Sequence, residues 1–141
     1  MVKQSISKVL TPNDIGETGG HQAGMCIPKE KEILDFFPPL DKTVKNPRET
    51  LDICTDDGTY IKMSFIYYNG KFFGGTRNEY RLTGMTKYFK ENALISGDVI
   101  YLSKDEAGNY SISFKKADQK QTNAIVITST KWKSIKLHGG I

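Results

Sequence analysis

The sequence predicts a mainly β fold, a barrel or sandwich of about seven short, mostly antiparallel strands with one or two short helices. Three observations predict its β character. Short apolar or alternating segments recur along the chain, and turn signals such as Asp-Asp-Gly at 56–58 and Asn-Gly at 69–70 separate them. Helical spacing is confined to brief stretches. With 141 residues, the chain is long enough for one domain with its own core.

The N-terminal half is predicted to contain strands and one helix. Residues 5–24 are rich in glycine and small polar residues, which argues against a helix there. The apolar run at 23–27 ends at Pro28 and predicts a strand. Ile33, Leu34 and Phe37 have helical spacing and predict a helix over 29–37 that the following prolines stop. The remaining predictions for this half are a polar loop at 43–50, a strand at 51–55 and a returning strand at 59–68.

The C-terminal half is predicted to contain further strands joined by tight turns. After the 69–70 turn, a charged segment leads into a short helix at 86–92. The elements predicted after this helix are a turn at 96–98, a strand at 99–102, a turn at 105–109, and strands at 110–114 and 124–128. We therefore expect residues 1–130 to form the domain. Residues 131–141 are expected to be a basic tail, or the start of a linker to a further domain, that packs little. A tryptophan in such a tail, Trp132, either anchors it to the core or stacks on bases.

Composition narrows the class of protein. The formal net charge is +4, and from Lys115 onward six lysines face one acid, which is compatible with either a solvated basic face or a phosphate-binding surface. No apolar run approaches the roughly 20 residues of a membrane span, and the N-terminus lacks a signal-peptide core. The two cysteines are far apart and predict free thiols in a reducing compartment. These features favour a cytoplasmic protein with no membrane segment.

The most informative segment is Gly-Gly-Thr-Arg-Asn-Glu-Tyr-Arg at 74–81. On an extended backbone, Arg77, Glu79 and Arg81 project from one face. Arginine offers two donors to guanine O6 and N7, and a carboxylate can accept from the cytosine amino group. The segment is therefore suited to a G·C-rich major groove. A cross-strand ladder of ion pairs on a solvated sheet is the structural alternative.

An enzyme would need a catalytic constellation, and the candidates are few. The sequence has no GxSxG elbow, no phosphate-binding Walker loop and no HExxH pair. His21 and His138 are isolated from each other and from cysteine. Asp118 and Lys120 have the spacing of a Mg²⁺-dependent nuclease pair, so a complete small nuclease is the alternative function. A barrel that binds other proteins is a third possibility.

Two segments together resemble a known family. The first, Leu-Thr-Pro-Asn-Asp-Ile-Gly-Glu-Thr-Gly-Gly-His-Gln-Ala-Gly, spans 10–24 and is followed by Ile-Pro at 27–28. The second combines Ile-Tyr-Tyr-Asn at 66–69 with Thr-Arg-Asn-Glu-Tyr-Arg-Leu-Thr at 76–83, and Leu-Ile-Ser-Gly-Asp follows at 94–98. In order and spacing they resemble the N-terminal effector domain of EcoRII-type (type IIE) restriction endonucleases.

The resemblance implies a DNA-binding pseudobarrel with two arms that grip the major groove. It implies the target CCWGG (W is A or T), bound by a monomer with one arm on each half-site. It further implies binding without cleavage by this domain, a covalently linked catalytic domain, and Mg²⁺ for that catalytic domain alone, with no cofactor for binding. The cellular setting would be a prokaryotic restriction-modification system.

Specific residues follow from the same resemblance. The expected DNA-binding residues are His21 and Gln22 in the first arm, and Arg77, Asn78, Glu79, Tyr80 and Arg81 in the second. No catalytic or metal-binding residue is expected. The chain departs from the family pattern at Gly75 and Tyr80, where the family has basic residues, and at Cys26, where it has a tyrosine.

Overall fold

The computed structural model describes residues 2–15, 24–70, 78–117 and 132–135, and this part of the chain is mainly β. The elements are β1 (Val2–Val9), β2 (Met25–Ile27), α1 (Lys31–Leu34), β3 (Arg48–Cys54), β4 (Tyr60–Asn69), β5 (Asn78–Thr83), α2 (Thr86–Glu91), β6 (Val99–Asp105), β7 (Tyr110–Lys115) and β8 (Lys133–Ile135). The predicted fold class, a pseudobarrel of short strands with two short helices, is confirmed.

All eight described strands belong to one curled sheet, in the order β2-β5-β4-β3-β7-β6-β1-β8. Every pairing is antiparallel except that between β3 and β7, where Ile53 lies opposite Tyr110 and Cys54 opposite Ser111. This short parallel contact joins two antiparallel groups of four strands. Each group is built largely from hairpin-like neighbours, as the sequence predicts.

The two edge strands of this order are brought together by Trp132. Its ring is buried in the core, and its Nε1 donates to the backbone carbonyl of Cys26 in β2 at 3.1 Å. The next residues form β8, which pairs with β1. Trp132 therefore links both ends of the sheet, which is how the sheet closes as a pseudobarrel. The expectation that residues 131–141 pack little is wrong for 132–135.

One continuous core fills the barrel. Four of its rings stack in a row from Phe37 through Phe65 and Tyr80 to Tyr67, with centroid separations of 4.4, 5.4 and 4.3 Å. Both helices contribute to this core, α1 through Ile33 and α2 through buried aromatic side chains. Each helix is too short to be stable alone, so this packing stabilises it.

The strand β1 has no counterpart among the predicted strands. Its inward-facing positions are Ile6 and Lys8, and a lysine interrupts the apolar alternation that marks a strand. Lys8 is buried because it forms an ion pair with Asp14. The pattern of apolar residues does not reveal this strand, because the Asp14 carboxylate that neutralises Lys8 comes after the strand ends. The predicted strand at 124–128 lies outside the described residues.

The turn before β6 is fixed by a buried carboxylate. Asp98 accepts backbone N–H groups from Ile95 and Ala117, both at 2.8 Å, and its side chain is ion-paired with Lys116 at 2.6 Å. Burial alone would raise the pKa of Asp98, but these hydrogen bonds outweigh burial and hold the pKa below its ordinary value. Lys116 is thus one of the C-terminal lysines with a structural partner.

The predicted hairpin turn at 56–58 is present. Asp57 Oδ1 accepts hydrogen bonds from the hydroxyls of Thr55 and Thr59 and from the Thr59 backbone N–H. These bonds lower the pKa of Asp57 to about 2. Within the described ranges, neither helix has the length and apolar character required to cross a bilayer.

Candidate nucleic-acid interface

The outer face of β2, β5, β4 and β3 brings two arginines, a cysteine and a buried isoleucine into one row. Residues that lie directly opposite each other on paired strands point to the same face. Arg81 in β5 is opposite Cys26 in β2 and Ile66 in β4, and Ile66 is in turn opposite Arg48 in β3. Glu79 is two residues before Arg81 and shares its face. The extended backbone predicted for Glu79 and Arg81 is therefore confirmed.

Arg81 is unusually enclosed for a surface-strand arginine. Its side chain is only 9% exposed. Nη1 donates to the backbone carbonyl of Gly24 at 3.3 Å, and Nε donates to Glu79 Oε1 at 3.4 Å. The Cys26 thiol lies 4.0 Å from the other carboxylate oxygen of Glu79. The guanidinium thus connects β5 to the residue that precedes β2.

This row lies between two attachment points at opposite ends of β5. Residues 16–23 precede Gly24 and enter β2, where Met25 lies opposite Leu82. Residues 71–77 join β4 to β5, where Asn69 lies opposite Asn78. Asn78 and Leu82 are four residue steps apart, which places these two attachment points about 14 Å apart along β5. The face between these attachment points carries Glu79 and Arg81.

The attachment of the first segment is tightly built. Asp14 pairs with Lys8 and accepts the backbone N–H of Thr11 at 2.9 Å. At the other end, Gly24 has a φ of +70°, and a Cβ there would lie 2.0 Å from the Leu82 carbonyl oxygen. Only glycine permits this approach between the start of β2 and β5.

The attachment of the second segment is fixed by Asn69. Its amide nitrogen donates to the carbonyls of Lys42 at 3.3 Å and Val44 at 2.7 Å, and its Oδ1 accepts the backbone N–H of Asn46 at 2.8 Å. Asn69 is buried, so these bonds satisfy an amide that has lost its contact with water. A buried asparagine thereby ties the 42–46 loop to the end of β4.

The predicted DNA-binding residues do not all lie on the same face of the sheet. Glu79 and Arg81 lie together on the outer face, while Tyr80 is on the opposite face and its ring is part of the core stack. A nearby cation, Lys42, hydrogen-bonds Tyr80, which raises the pKa of Lys42. Tyr80, which the resemblance includes among the DNA-binding residues, is thus on the opposite face from Glu79 and Arg81. His21, Gln22 and Arg77 lie outside the described residues.

A comparison with protein families matches nearly the whole chain. Residues 3–132 match the family described as "Restriction endonuclease EcoRII, N-terminal". The chain belongs to this family. The predicted resemblance is confirmed, and the match extends to Trp132, the residue that closes the sheet.

Individual relatives are similar over most of this chain but are much longer. The type II restriction enzyme EcoRII of Escherichia coli is 33% identical over 127 residues, which is 87% of this chain and 30% of that protein. Auxin response factor 1 of rice (Oryza sativa subsp. japonica) is 28% identical over 130 residues, 91% of this chain and 17% of that protein. The chain therefore spans less than a third of the length of either relative.

A solved structure shares the fold. The structure described as "Arabidopsis FUS3-DNA complex" superposes with a TM-score of 0.58 and 19% identity, covering 79% of this chain and 96% of that one. At this identity the likeness concerns the pseudobarrel alone.

The residues of the alternative nuclease site, Asp118 and Lys120, lie outside the described ranges. Among the residues that the structure describes, no group of three or more His, Cys, Asp and Glu side chains is placed to hold a metal ion. Two residues of this region had no predicted role: Arg48 was predicted to lie in a loop, and Asn69 was predicted to lie in a turn and is part of the family motif at 66–69. The ion pair between Lys8 and Asp14 was not predicted from their spacing either, because it forms only when the turn at 11–14 folds the chain back.

Proposed function

We propose that this chain is a sequence-specific module that binds double-stranded DNA through the major groove. One observation carries the proposal: Glu79 and Arg81 share an outer face between two points, about 14 Å apart along β5, at Asn78 and at Leu82 beside the start of β2. Membership in the family of EcoRII N-terminal domains supports it, as does the DNA complex with the same fold.

The chemistry of the side chains assigns their roles. Arg77 and Arg81 would each donate to guanine, and Glu79 would accept from a cytosine amino group. His21 and Gln22 would read bases from the first segment. Asn78, the first residue of β5, would contact DNA from the end of the strand rather than from the outer face. Tyr80 is left out of this set, since its ring stacks in the core.

The proposed target is CCWGG, with each segment on one half-site and the protein bound as a monomer. The central A·T pair would be selected by DNA shape rather than by a direct contact. Cleavage would belong to a covalently linked catalytic domain that uses Mg²⁺, and this chain would bind without a cofactor. A cytoplasmic restriction system is the proposed setting.

Selection from a pool of randomised duplexes tests the proposal without presuming the site. We expect enrichment of CCWGG and a binding constant that falls steeply with salt, as phosphate contacts require. Enrichment of no sequence would contradict a specific module. Binding that is absent at every salt concentration would favour a protein-interaction barrel.

Incubation of bound CCWGG duplexes with Mg²⁺ separates the module from the nuclease alternative. We expect intact DNA, measured by gel electrophoresis. Cutting by this chain that disappears in Asp118→Asn would establish the nuclease function instead.

A further inference from the structure

Arg48 is an exposed cation on the same outer face as Arg81. It begins β3, lies opposite Ile66 in β4, and Ile66 lies opposite Arg81 in β5. Directly opposed residues share a face, so both arginines project from the same side of the sheet in one row across three strands. Arg81 is enclosed, whereas Arg48 is open to solvent.

The spacing places Arg48 beside the groove rather than in it. Two inter-strand steps separate Arg48 from Arg81, which is about 10 Å. If β5 lies over the middle of a major groove about 12 Å wide, a phosphate strand lies some 6 Å or more to either side. The Arg48 guanidinium, on its long side chain, reaches the position of that phosphate strand.

The charge of Arg48 is available. Among the described residues, no carboxylate lies within ion-pair distance of it. The other cation on this part of the face, Lys62, contrasts with it because its Nζ lies 2.8 Å from Asp52 Oδ1. Lys62 is thus locally neutralised, and Arg48 supplies the uncompensated positive charge of the row.

The backbone around Arg48 is fixed before any ligand arrives. The preceding residue, Pro47, accepts the backbone N–H of Tyr67 at 3.0 Å and so extends the pairing of β3 with β4. Asn69 holds the adjacent 42–46 loop through three hydrogen bonds. A cation on a rigid strand start loses little backbone entropy on binding.

We propose that Arg48 binds a backbone phosphate of the DNA strand that borders the groove read by β5. This inference rests on the proposed function and extends the contact surface to β3, beyond the two flanking segments. Phosphate contacts fix the position of a protein on the duplex and carry no sequence information. Arg48 is therefore a contact for affinity and register, and it does not select bases.

Three variants of the chain test this role by fluorescence anisotropy with a CCWGG duplex and a random duplex over a salt series. Arg48→Ala should weaken binding to both duplexes by a similar factor, on the order of 5–30-fold at low salt, and reduce the magnitude of the log–log salt slope by about 0.9. Arg48→Lys should restore most of the loss, because a point charge also binds phosphate. Lys62→Ala is the matched control on the same face and should change affinity little.

The experiment distinguishes failure of the Arg48 inference from failure of the proposed DNA-binding function. If the unaltered chain binds no duplex, the proposed function itself fails. If it binds CCWGG and Arg48→Ala retains the wild-type affinity and salt slope, or loses no more than Lys62→Ala, the inference is overturned. A loss confined to the CCWGG duplex would also overturn it, since that result indicates base reading. Thermal unfolding of each variant verifies that the fold is intact.

Discussion

Arg81 shows how one side chain can serve both the fold and the proposed recognition. Its guanidinium donates to the Gly24 carbonyl and to Glu79, and its side chain is almost fully enclosed. A bidentate contact with guanine needs two donors of the same fork. Binding would therefore redirect at least part of a guanidinium that the free protein already uses, and release of the Gly24 carbonyl would accompany it.

Replacement of Arg81 tests its reading role. Arg81→Ala should weaken binding to CCWGG by about 1–3 kcal/mol and affect random DNA far less. Arg81→Lys should share most of the specific loss, since lysine keeps the charge and lacks the planar fork. Competition binding with both duplexes measures the difference. Equal losses on the two duplexes would mean that Arg81 contacts phosphate, and circular dichroism of each variant monitors folding.

Gly24 occupies a position that a residue with a side chain could not adopt without strain. Gly24→Ala should destabilise the protein by more than the roughly 1–3 kcal/mol of an unfavourable backbone conformation, because the new Cβ would also meet the Leu82 carbonyl. Gly58→Ala is the matched control, since Gly58 has a φ of +86° with open space around it. Urea denaturation compares the two variants. Similar losses for both would show that β2 can move away from β5 without cost.

At the scale of elements, loops are fastened to strands by single buried polar side chains. Asp98 fixes the turn that leads into β6, and Asn69 fixes the 42–46 loop to the end of β4. Each accepts or donates several hydrogen bonds, so its loss leaves backbone groups without partners. These two residues position the strands that carry the proposed interface more than any surface ion pair does.

The lowered pKa of Asp98 predicts how stability depends on pH. The folded protein favours the ionised carboxylate, so the stabilisation is complete above the ordinary value of 3.8 and is lost as the pH falls through the lower folded value. Asp98→Asn should reduce stability by about 1–3 kcal/mol at pH 7 and differ less from the wild type in acid. Urea denaturation at pH 7 and below pH 3 measures both. A difference that stays constant with pH would contradict the role of the ionised form.

For the whole molecule, closure of the sheet depends on a residue far from β2 in the chain. Trp132 bridges to Cys26, and the strand that follows it extends the other edge of the sheet. Cys26 also lies beside Arg81 on the candidate interface. The end of the described chain and the proposed DNA-binding face are thus parts of one structural unit.

Substitution of Trp132 tests this closure. Trp132→Ala should cost about 3–5 kcal/mol of stability, as expected for a buried large aromatic side chain. Trp132→Phe keeps most of the ring packing and loses the hydrogen bond, so it should cost clearly less. Thermal unfolding of the two variants gives the order. A wild-type melting temperature for Trp132→Ala would show that residues 132–135 are dispensable for the domain.

The sequence alone predicts those features that local pattern encodes. Turn residues and alternation located β3, β4, β6 and β7. Helical spacing located α1, and the helix predicted at 86–92 corresponds to α2. It failed at β1, where Lys8 occupies an inward position, and at the start of β3, where Arg48 follows a proline. In both cases a partner outside the strand itself, Asp14 or the backbone of β4, stabilises a residue that local propensity does not favour.

Features that depend on neighbouring residues could be predicted from the sequence, and features that depend on residues far apart in the chain could not. Sequence by itself determined the β class, the outer-face spacing of Glu79 and Arg81, and the family resemblance, because period-two alternation and motif order are local properties. Only tertiary structure decided that Arg81 is enclosed against Gly24, that Tyr80 belongs to the core, that Arg48 joins the same face, and that Trp132 closes the sheet. These facts depend on strand register and on long-range contacts, and a barrel is defined by which distant strands meet.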